Sequence, residues 1–237
     1  EIAGAIIGWM NQFRNIPGIH DQATLGFTVQ LLSDPQVASV YGPMILKLVK
    51  LADFGIDGVH RRDTPPEKLA AMIPPDIPES IRTQVLNSPG TGAFTVTTSH
   101  QKYGPNEAPV GIVEFDFDAD ESAGTQKFIA LAGPFLHTLT EGSVLFVDEL
   151  EARLHPLLTK ALVDLFNSPA NIKKAQLIYA THDEGMLDPK RVRRDQVWFA
   201  EKDRKGASRL YSLDEFKGVR KETKFSKEYL LGQFGGV

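Results

Sequence analysis

Two short apolar runs constrain this chain more than any other feature. Ser143-Val-Leu-Phe-Val147 and Gln176-Leu-Ile-Tyr-Ala180 are nearly unbroken, too short for helices, and patterned like strands buried in a parallel sheet. Between them, Pro156 to Phe166 has helical spacing, with proline at a tolerated first-turn position. Strand, helix, strand in that order is a crossover unit, which places two parallel strands side by side in a sheet covered on both faces. A helix is expected from Gln126 to Leu139, and Gln196-Val-Trp-Phe-Ala200 is strand-like. Phe94-Thr-Val-Thr-Thr-Ser99 and Gly111 to Phe117 alternate around a turn at Tyr103-Gly-Pro-Asn106, which predicts an antiparallel pair with one solvated side. The first ninety residues instead read as helical. Ile2 to Phe13, Val37 to Phe54, Pro66–Met72 and Pro78–Leu86 are separated by proline breakers, and a loop begins at Asn87-Ser-Pro-Gly. The expectation is an α/β fold, with residues 1–90 a helical lobe and residues 91–237 the sheet-bearing part.

Three elements carry candidate chemistry. The first strand ends in Asp148-Glu149, two carboxylates at the C-terminal edge of a sheet, where α/β folds bind ligands. In nucleotide hydrolysis the first such carboxylate can hold Mg²⁺ through water, and the second can polarise the attacking water. Acidic pairs also end strands simply because carboxylates favour helix N-termini. The neighbouring strand ends in Thr181-His182-Asp183, and the crossover brings the two ends close enough for His182 to reach a phosphate beside Glu149. Glu121-Ser122-Ala-Gly124-Thr125-Gln126 opens a helix, where hydroxyls and N–H groups can face an anion at the positive end of the dipole. Ordinary helix capping by Ser122 or Thr125 accounts for the same residues.

In this order and spacing the three elements resemble the ABC/SMC-like ATPase superfamily. The resemblance implies an ABC-type ATPase half with a parallel sheet core, antiparallel edge strands and an N-terminal helical insertion. It places Ser122, Gly124 and Thr125 in the nucleotide-contacting signature, and makes Asp148 the metal-holding Walker B aspartate. Glu149 becomes the catalytic glutamate, Ala152 to His155 the D-loop, and His182 the switch histidine. The signature departs from the Leu-Ser-Gly-Gly form of transporters. Glu-Ser-x-Gly-Thr, Asp-Glu-Leu-Glu-x-x-Leu-His-Pro, Ala-Thr-His-Asp, Arg-Arg-Asp-Gln-Val-Trp-Phe and the ending Tyr229-Leu-Leu-Gly-Gln-Phe-Gly-Gly236 resemble more narrowly the RloA-like AAA family ATPases of bacterial abortive-infection and anti-phage loci. That likeness spans roughly Ala52 to Val237. It implies ATP and Mg²⁺ as cofactors, a homodimer formed through an ATP sandwich, and ATP-driven opening and closing passed to an effector protein.

One part is missing. No Gly-x-x-x-x-Gly-Lys-Ser/Thr occurs in the 237 residues, and the nearest glycine-rich stretch, Ser88-Pro-Gly-Thr-Gly-Ala-Phe94, has no lysine. The expectation is that Glu1 is not the natural start, that a P-loop half precedes these residues, and that they are inactive alone. The absence of cysteine excludes disulfides and thiolate metal sites and fits a cytoplasmic protein, and no apolar run approaches the ~20 residues of a membrane span. The net charge of -4 gives no overall nucleic-acid footprint, yet half of the 26 Lys and Arg residues lie between Lys190 and Lys227. A nucleic-acid-binding scaffold is therefore the alternative, with Arg193, Arg194, Arg220 and Lys221 on phosphates. A metalloprotease reading of Asp148, Glu149 and Glu151 fails for want of His-Glu-x-x-His. His20, His60, His100 and His137 show no ligand spacing and read as structural, and Trp9 and Trp198 read as core or interface residues.

Overall fold

A computed structural model describes residues 13–16, 21–52, 54–65, 67, 71, 73–74, 76–87, 94–217 and 225–235. In chain order the elements are β1 (Phe13–Ile16), α1 (Asp21–Ser33), α2 (Ala38–Leu51), β2 (Ile56–Asp63), α3 (Glu79–Asn87), β3 (Phe94–Tyr103), β4 (Pro109–Asp116) and the single turn α4 (Phe117–Asp120). There follow α5 (Ala123–Glu141), β5 (Val144–Val147), α6 (Pro156–Asn167), β6 (Gln176–Tyr179), β7 (Trp198–Lys202), β8 (Ser208–Ser212) and α7 (Phe225–Leu230). They belong to two units, one of residues 20–137 and the other of residues 1–19 with 138–237, a division that does not follow the sequence boundary at residue 90.

The second of these units contains the expected crossover. β5 is the middle strand of a parallel sheet in the order β1-β5-β6, with Ile16 opposite Val147 and Val147 opposite Tyr179. Leu145 and Val147 are fully buried, as a central apolar strand requires. Connecting β5 to β6, α6 buries Thr159, Leu162, Val163 and Phe166, the i, i+3, i+4, i+7 stripe of an amphipathic helix. His155 caps it by accepting the Leu157 N–H at 3.2 Å, and Pro156 takes the first turn. β6 was expected to be buried on both faces, but it alternates, leaving Gln176 and Ile178 exposed. Within the described sheet it is an edge strand, paired only with β5.

β7 and β8 form an antiparallel hairpin whose inner face joins α7 and the segment after it. Val197, Phe199, Tyr211, Leu213, Phe225 and Phe234 are buried together, and the Tyr211 hydroxyl donates to the Phe234 carbonyl at 2.7 Å. Trp198, read as a core or interface residue, is 55% exposed on the outer face.

In the other unit, β2, β3 and β4 make the antiparallel sheet, with the expected β3–β4 pair joined by a tight turn at Pro105–Glu107. α2 buries Tyr41, Ile45, Leu48 and Val49, again at helical spacing. His137 stacks on Tyr41 with centroids 5.8 Å apart and meets Phe27 edge-on at 5.4 Å, a structural role as expected.

Two strands interrupt the stretch read as wholly helical. β1 is short and polar, Phe-Arg-Asn-Ile, and is defined by pairing with β5 rather than by its own propensity. β2 carries Gly58, Arg61 and Arg62, which hide its alternation. Its charged residues are held across the sheet, with Arg62 paired to Glu114 and Arg61 over the Phe94 ring at 4.6 Å. The helix expected from Ile2 lies outside the described residues as far as residue 12. Most of Pro66–Met72 and the loop at residues 88–93 lie outside them as well.

A proline within α5 shows how this unit satisfies its backbone. Pro134 has no N–H, so the carbonyl four residues earlier, Ala130, loses its helical donor. The buried Thr28 hydroxyl supplies the bond, donating to Ala130 O at 2.7 Å and accepting the Gly133 N–H at 3.1 Å. The approach is close enough that a Cβ on Gly133 would lie 2.7 Å from Thr28 Cα. Thr28→Val keeps the shape and strands both backbone groups. It is expected to lower unfolding free energy by about 1–3 kcal/mol in chemical denaturation.

Candidate functional site

The β5 ladder does not stop where the strand ends. Asp148 donates its N–H to Ile16 O on the β1 side at 3.1 Å, and Leu150 donates to Ala180 O on the β6 side at 3.1 Å. Successive anchors on opposite sides turn the chain at Glu149, whose φ is +46°, in the left-handed region that residues other than glycine seldom adopt. The turn is closed by the Ala152 N–H on Glu149 O and the Leu154 N–H on Glu151 O, both 2.9 Å. Leu150 and Leu154 are buried beneath it, while Asp148 is exposed and Glu149 half-buried.

At the end of β6, His182 is tied into the same turn. Its N–H donates to Glu151 Oε1 at 2.7 Å. Thr181 accepts the Asp183 N–H at 3.0 Å, and Asp183 accepts the Gly185 N–H at 2.8 Å, so the residues around the exposed His182 are fixed on both sides. Asp148, Glu149 and His182 are thus brought to one edge of the parallel sheet, as the crossover argument required.

Glu151 is the residue that sequence reasoning missed. It appeared only as the last acid of Asp-Glu-Leu-Glu and in the rejected metalloprotease reading, and the clue was its position two residues past Glu149, flanking an apolar Leu150. Burial pushes its carboxyl up. The Thr181 hydroxyl, the His182 N–H and its own backbone N–H outweigh that, holding it below the usual carboxylate range. Its Oε2 is buried and has no hydrogen-bond partner among the described residues.

Ser122, Gly124 and Thr125 form a separate group in the other unit. The Ser122 hydroxyl accepts the Thr125 N–H at 3.1 Å and shares a hydrogen bond with Thr125 Oγ1 at 2.8 Å, while Gln126 N donates to Ser122 O at 2.9 Å. This is N-terminal capping of α5, with Ser122 exposed and Thr125 buried. Capping leaves room for anion contact at the exposed Ser122 and the half-buried Gly124 of this 19-residue helix, whereas Thr125 is buried with its N–H on the Ser122 hydroxyl.

No three His, Cys, Asp or Glu side chains converge as a metal cage among the described residues. Mg²⁺ is normally held by one or two carboxylates with phosphate oxygens and water, and Asp148, exposed at the end of β5, is a carboxylate that could take that share. Three arginines at the start of the basic C-terminal segment are held in ion pairs. Arg191 pairs with Asp164 and Asp188, Arg193 with Asp195 at 2.8 Å, and Arg194 with Asp214 at 3.5 Å. Arg220 and Lys221 lie outside the described residues.

The backbone at Glu149 yields a stability test. Glu149→Asn, which tolerates left-handed φ, should be at least as stable as the parent. Glu149→Val should be less stable than Glu149→Asn by about 1–2 kcal/mol in thermal or urea unfolding. Glu151 yields a pH test. Because its folded pKa is depressed, its contribution is present above the unfolded value of about 4.3 and is lost as pH falls through the folded value. Glu151→Gln should therefore flatten the fall in stability below about pH 4, read as Tm against pH.

Residues 45–188, more than half of the chain, match the family described as "AAA domain, putative AbiEii toxin, Type IV TA system". The matched stretch contains Ser122, Gly124, Thr125, Asp148, Glu149 and His182. No curated protein matches the chain. Among the described residues no helix is long and apolar enough to cross a membrane. The mixed architecture, with its parallel β1-β5-β6 sheet and antiparallel strands, agrees with an AAA/ABC-like fold and an ATPase-like nucleotide-binding function, for which Mg²⁺ is the usual counter-ion. On the extent of that match, the chain belongs to this family of AAA-type ATPase domains.

Proposed function

We propose that this chain carries the Walker B, D-loop, switch and signature parts of an ATP-hydrolysing switch that works in bacterial anti-phage defence. The observation that carries the proposal is the strained Glu149 at the end of the central strand, beside a His182 whose N–H is bound by Glu151. Backbone strain of order 1–3 kcal/mol persists where the surrounding structure over-determines it, and such positions cluster at active sites. The RloA-like combination of motifs and the toxin–antitoxin wording of the family description support the defence setting.

Each residue has a role matched to its surroundings. Asp148, exposed at the sheet edge, would hold the nucleotide's Mg²⁺ through water. Mg²⁺ bound with ATP neutralises the developing phosphate charge. Glu149 accepts a proton from the attacking water as general base, its backbone held by the turn at residues 149–152. His182 donates a hydrogen bond towards the γ-phosphate and reports its presence. Ser122, Gly124 and Thr125 offer donors to the nucleotide of a second copy, so that two ATP molecules lie between two chains. Closing and opening of that dimer is the output, passed to an effector protein. The phosphate cradle itself is assigned to residues outside these 237, which contain no P-loop motif and are inactive alone on this proposal.

The test is ATP turnover and ATP-dependent self-association, measured with a P-loop-bearing polypeptide present. Glu149→Gln should slow turnover by about 10²-fold or more while bound ATP and the associated form accumulate. Unchanged turnover with no accumulation removes Glu149 from the mechanism. Salt-sensitive nucleic-acid binding indifferent to ATP, with no turnover, would replace the switch with a scaffold.

A further inference from the structure

Glu121 immediately precedes Ser122, and its side chain faces away from solvent. It is 8% exposed, against an exposed Ser122. A carboxylate so placed is costly unless its oxygens are paired. Here Oε1 takes a hydrogen bond from the fully buried Thr98 hydroxyl and lies 2.7 Å from His100 Nε2. Thr98 and His100 stand two residues apart on β3, so their side chains share one face of the antiparallel sheet. The His100 ring, 15% exposed, is tilted against Phe115 of β4 with centroids 4.4 Å apart. Nothing in helix capping calls for this arrangement, because Ser122 caps α5 without it.

The backbone is held as tightly as the side chain. Gln126 Nε2 donates to the carbonyls of Phe117 at 2.8 Å, Asp118 at 3.2 Å and Glu121 at 3.1 Å, gathering the link from α4 to α5 into one loop. At its other end Asp116 caps α4, accepting the N–H groups of Asp118 and Ala119. The loop is therefore internally rigid, and Glu121 is the side chain through which β3 grips it.

We propose that Glu121, gripped by Thr98 and His100, is the positioning residue of the signature loop, setting where the exposed Ser122 and the first turn of α5 stand. This rests on the signature role proposed above. It assigns the antiparallel sheet a function in catalysis without placing any of its residues on the nucleotide. It also gives His100 a role beyond the structural one its sequence context suggested.

The experiment has two readouts on the same variants, with the P-loop-bearing polypeptide present for the second. Hydrogen–deuterium exchange without nucleotide reports the loop directly. His100→Ala should speed exchange in residues 117–127 by about tenfold, leaving β5 and β6 unchanged. Steady-state ATP turnover should then show kcat reduced by about tenfold with KM within twofold, since the loop acts in the closed dimer rather than in first capture of ATP. His100→Gln, whose side-chain amide can donate in place of Nε2, should restore most of both. Should His100→Ala loosen the whole chain, Thr98→Val and Glu121→Gln take its place. Unchanged exchange at 117–127 in folded variants overturns the grip of β3 on the loop. Faster exchange with unchanged kcat overturns its link to catalysis. If the parent protein shows no turnover under the same conditions, the signature assignment falls and this proposal falls with it.

Discussion

The chemistry of the parallel sheet depends on β5 being hydrogen-bonded on both sides and on that bonding running past its last strand residue. Asp148 is held towards β1 and Leu150 towards β6, so the backbone between them must rotate within a single residue. Glu149 absorbs the rotation by entering left-handed space, at a cost of about 1–2 kcal/mol. Leu150 and Leu154, buried under the turn, each return about 1.5–3 kcal/mol by leaving water, so the strain is held at no net loss. The same rotation sends Leu150 into the core and leaves Asp148 exposed. Had the ladder ended at Val147, a flexible loop would have carried both carboxylates.

Glu151 extends this constraint to the neighbouring strand. Its bond to the His182 N–H makes the turn after β5 and the segment after β6 one rigid piece. A backbone N–H is a poor handle for a switch to break, whereas a side chain on a fixed backbone can still rotate. The arrangement fixes the backbone of His182 and leaves its imidazole exposed, which on the proposed function makes the side chain the moving part.

What could be read from the sequence follows from which forces are local. Val144-Leu-Phe-Val147 and the helix at Pro156–Asn167 were legible because burial on a known face writes itself into hydrophobic period. The acids at 148 and 149 and the histidine at 182 were legible for a related reason, since strand ends in a crossover unit converge whatever the side chains. β1 was not, because Phe-Arg-Asn-Ile becomes a strand only by lying against β5. β2 was hidden by arginines held in part by distant partners, Arg62 by Glu114 and Arg61 by the Phe94 ring as well as by the nearby Asp63. The grip of Thr98 and His100 on Glu121 was equally invisible, although all three residues sit in segments that the alternation and the signature had already marked. The concentration of Lys and Arg after residue 190 was plain to count, but a count does not show that Arg191, Arg193 and Arg194 are taken up in ion pairs such as that of Arg191 with Asp164.

The two groups of candidate residues have opposite electrical character, and this bears on what they can bind. Asp148 and Glu149 offer only acceptors when ionised, so by themselves they repel a phosphate and require a cation or a water between. Ser122, Gly124 and Thr125 offer hydroxyls and a helix N-terminus, which favour an anion and hold a cation poorly. Neither set makes a complete site for a nucleotide. On the proposed function, both groups meet one nucleotide across two copies. A ligand that is anionic on its phosphates and carries its own divalent cation would then answer both demands, which a bare anion, a bare metal ion or a neutral small molecule would not. On that footing, donor and acceptor chemistry favours a metal–nucleotide complex over the ligands either group could meet separately.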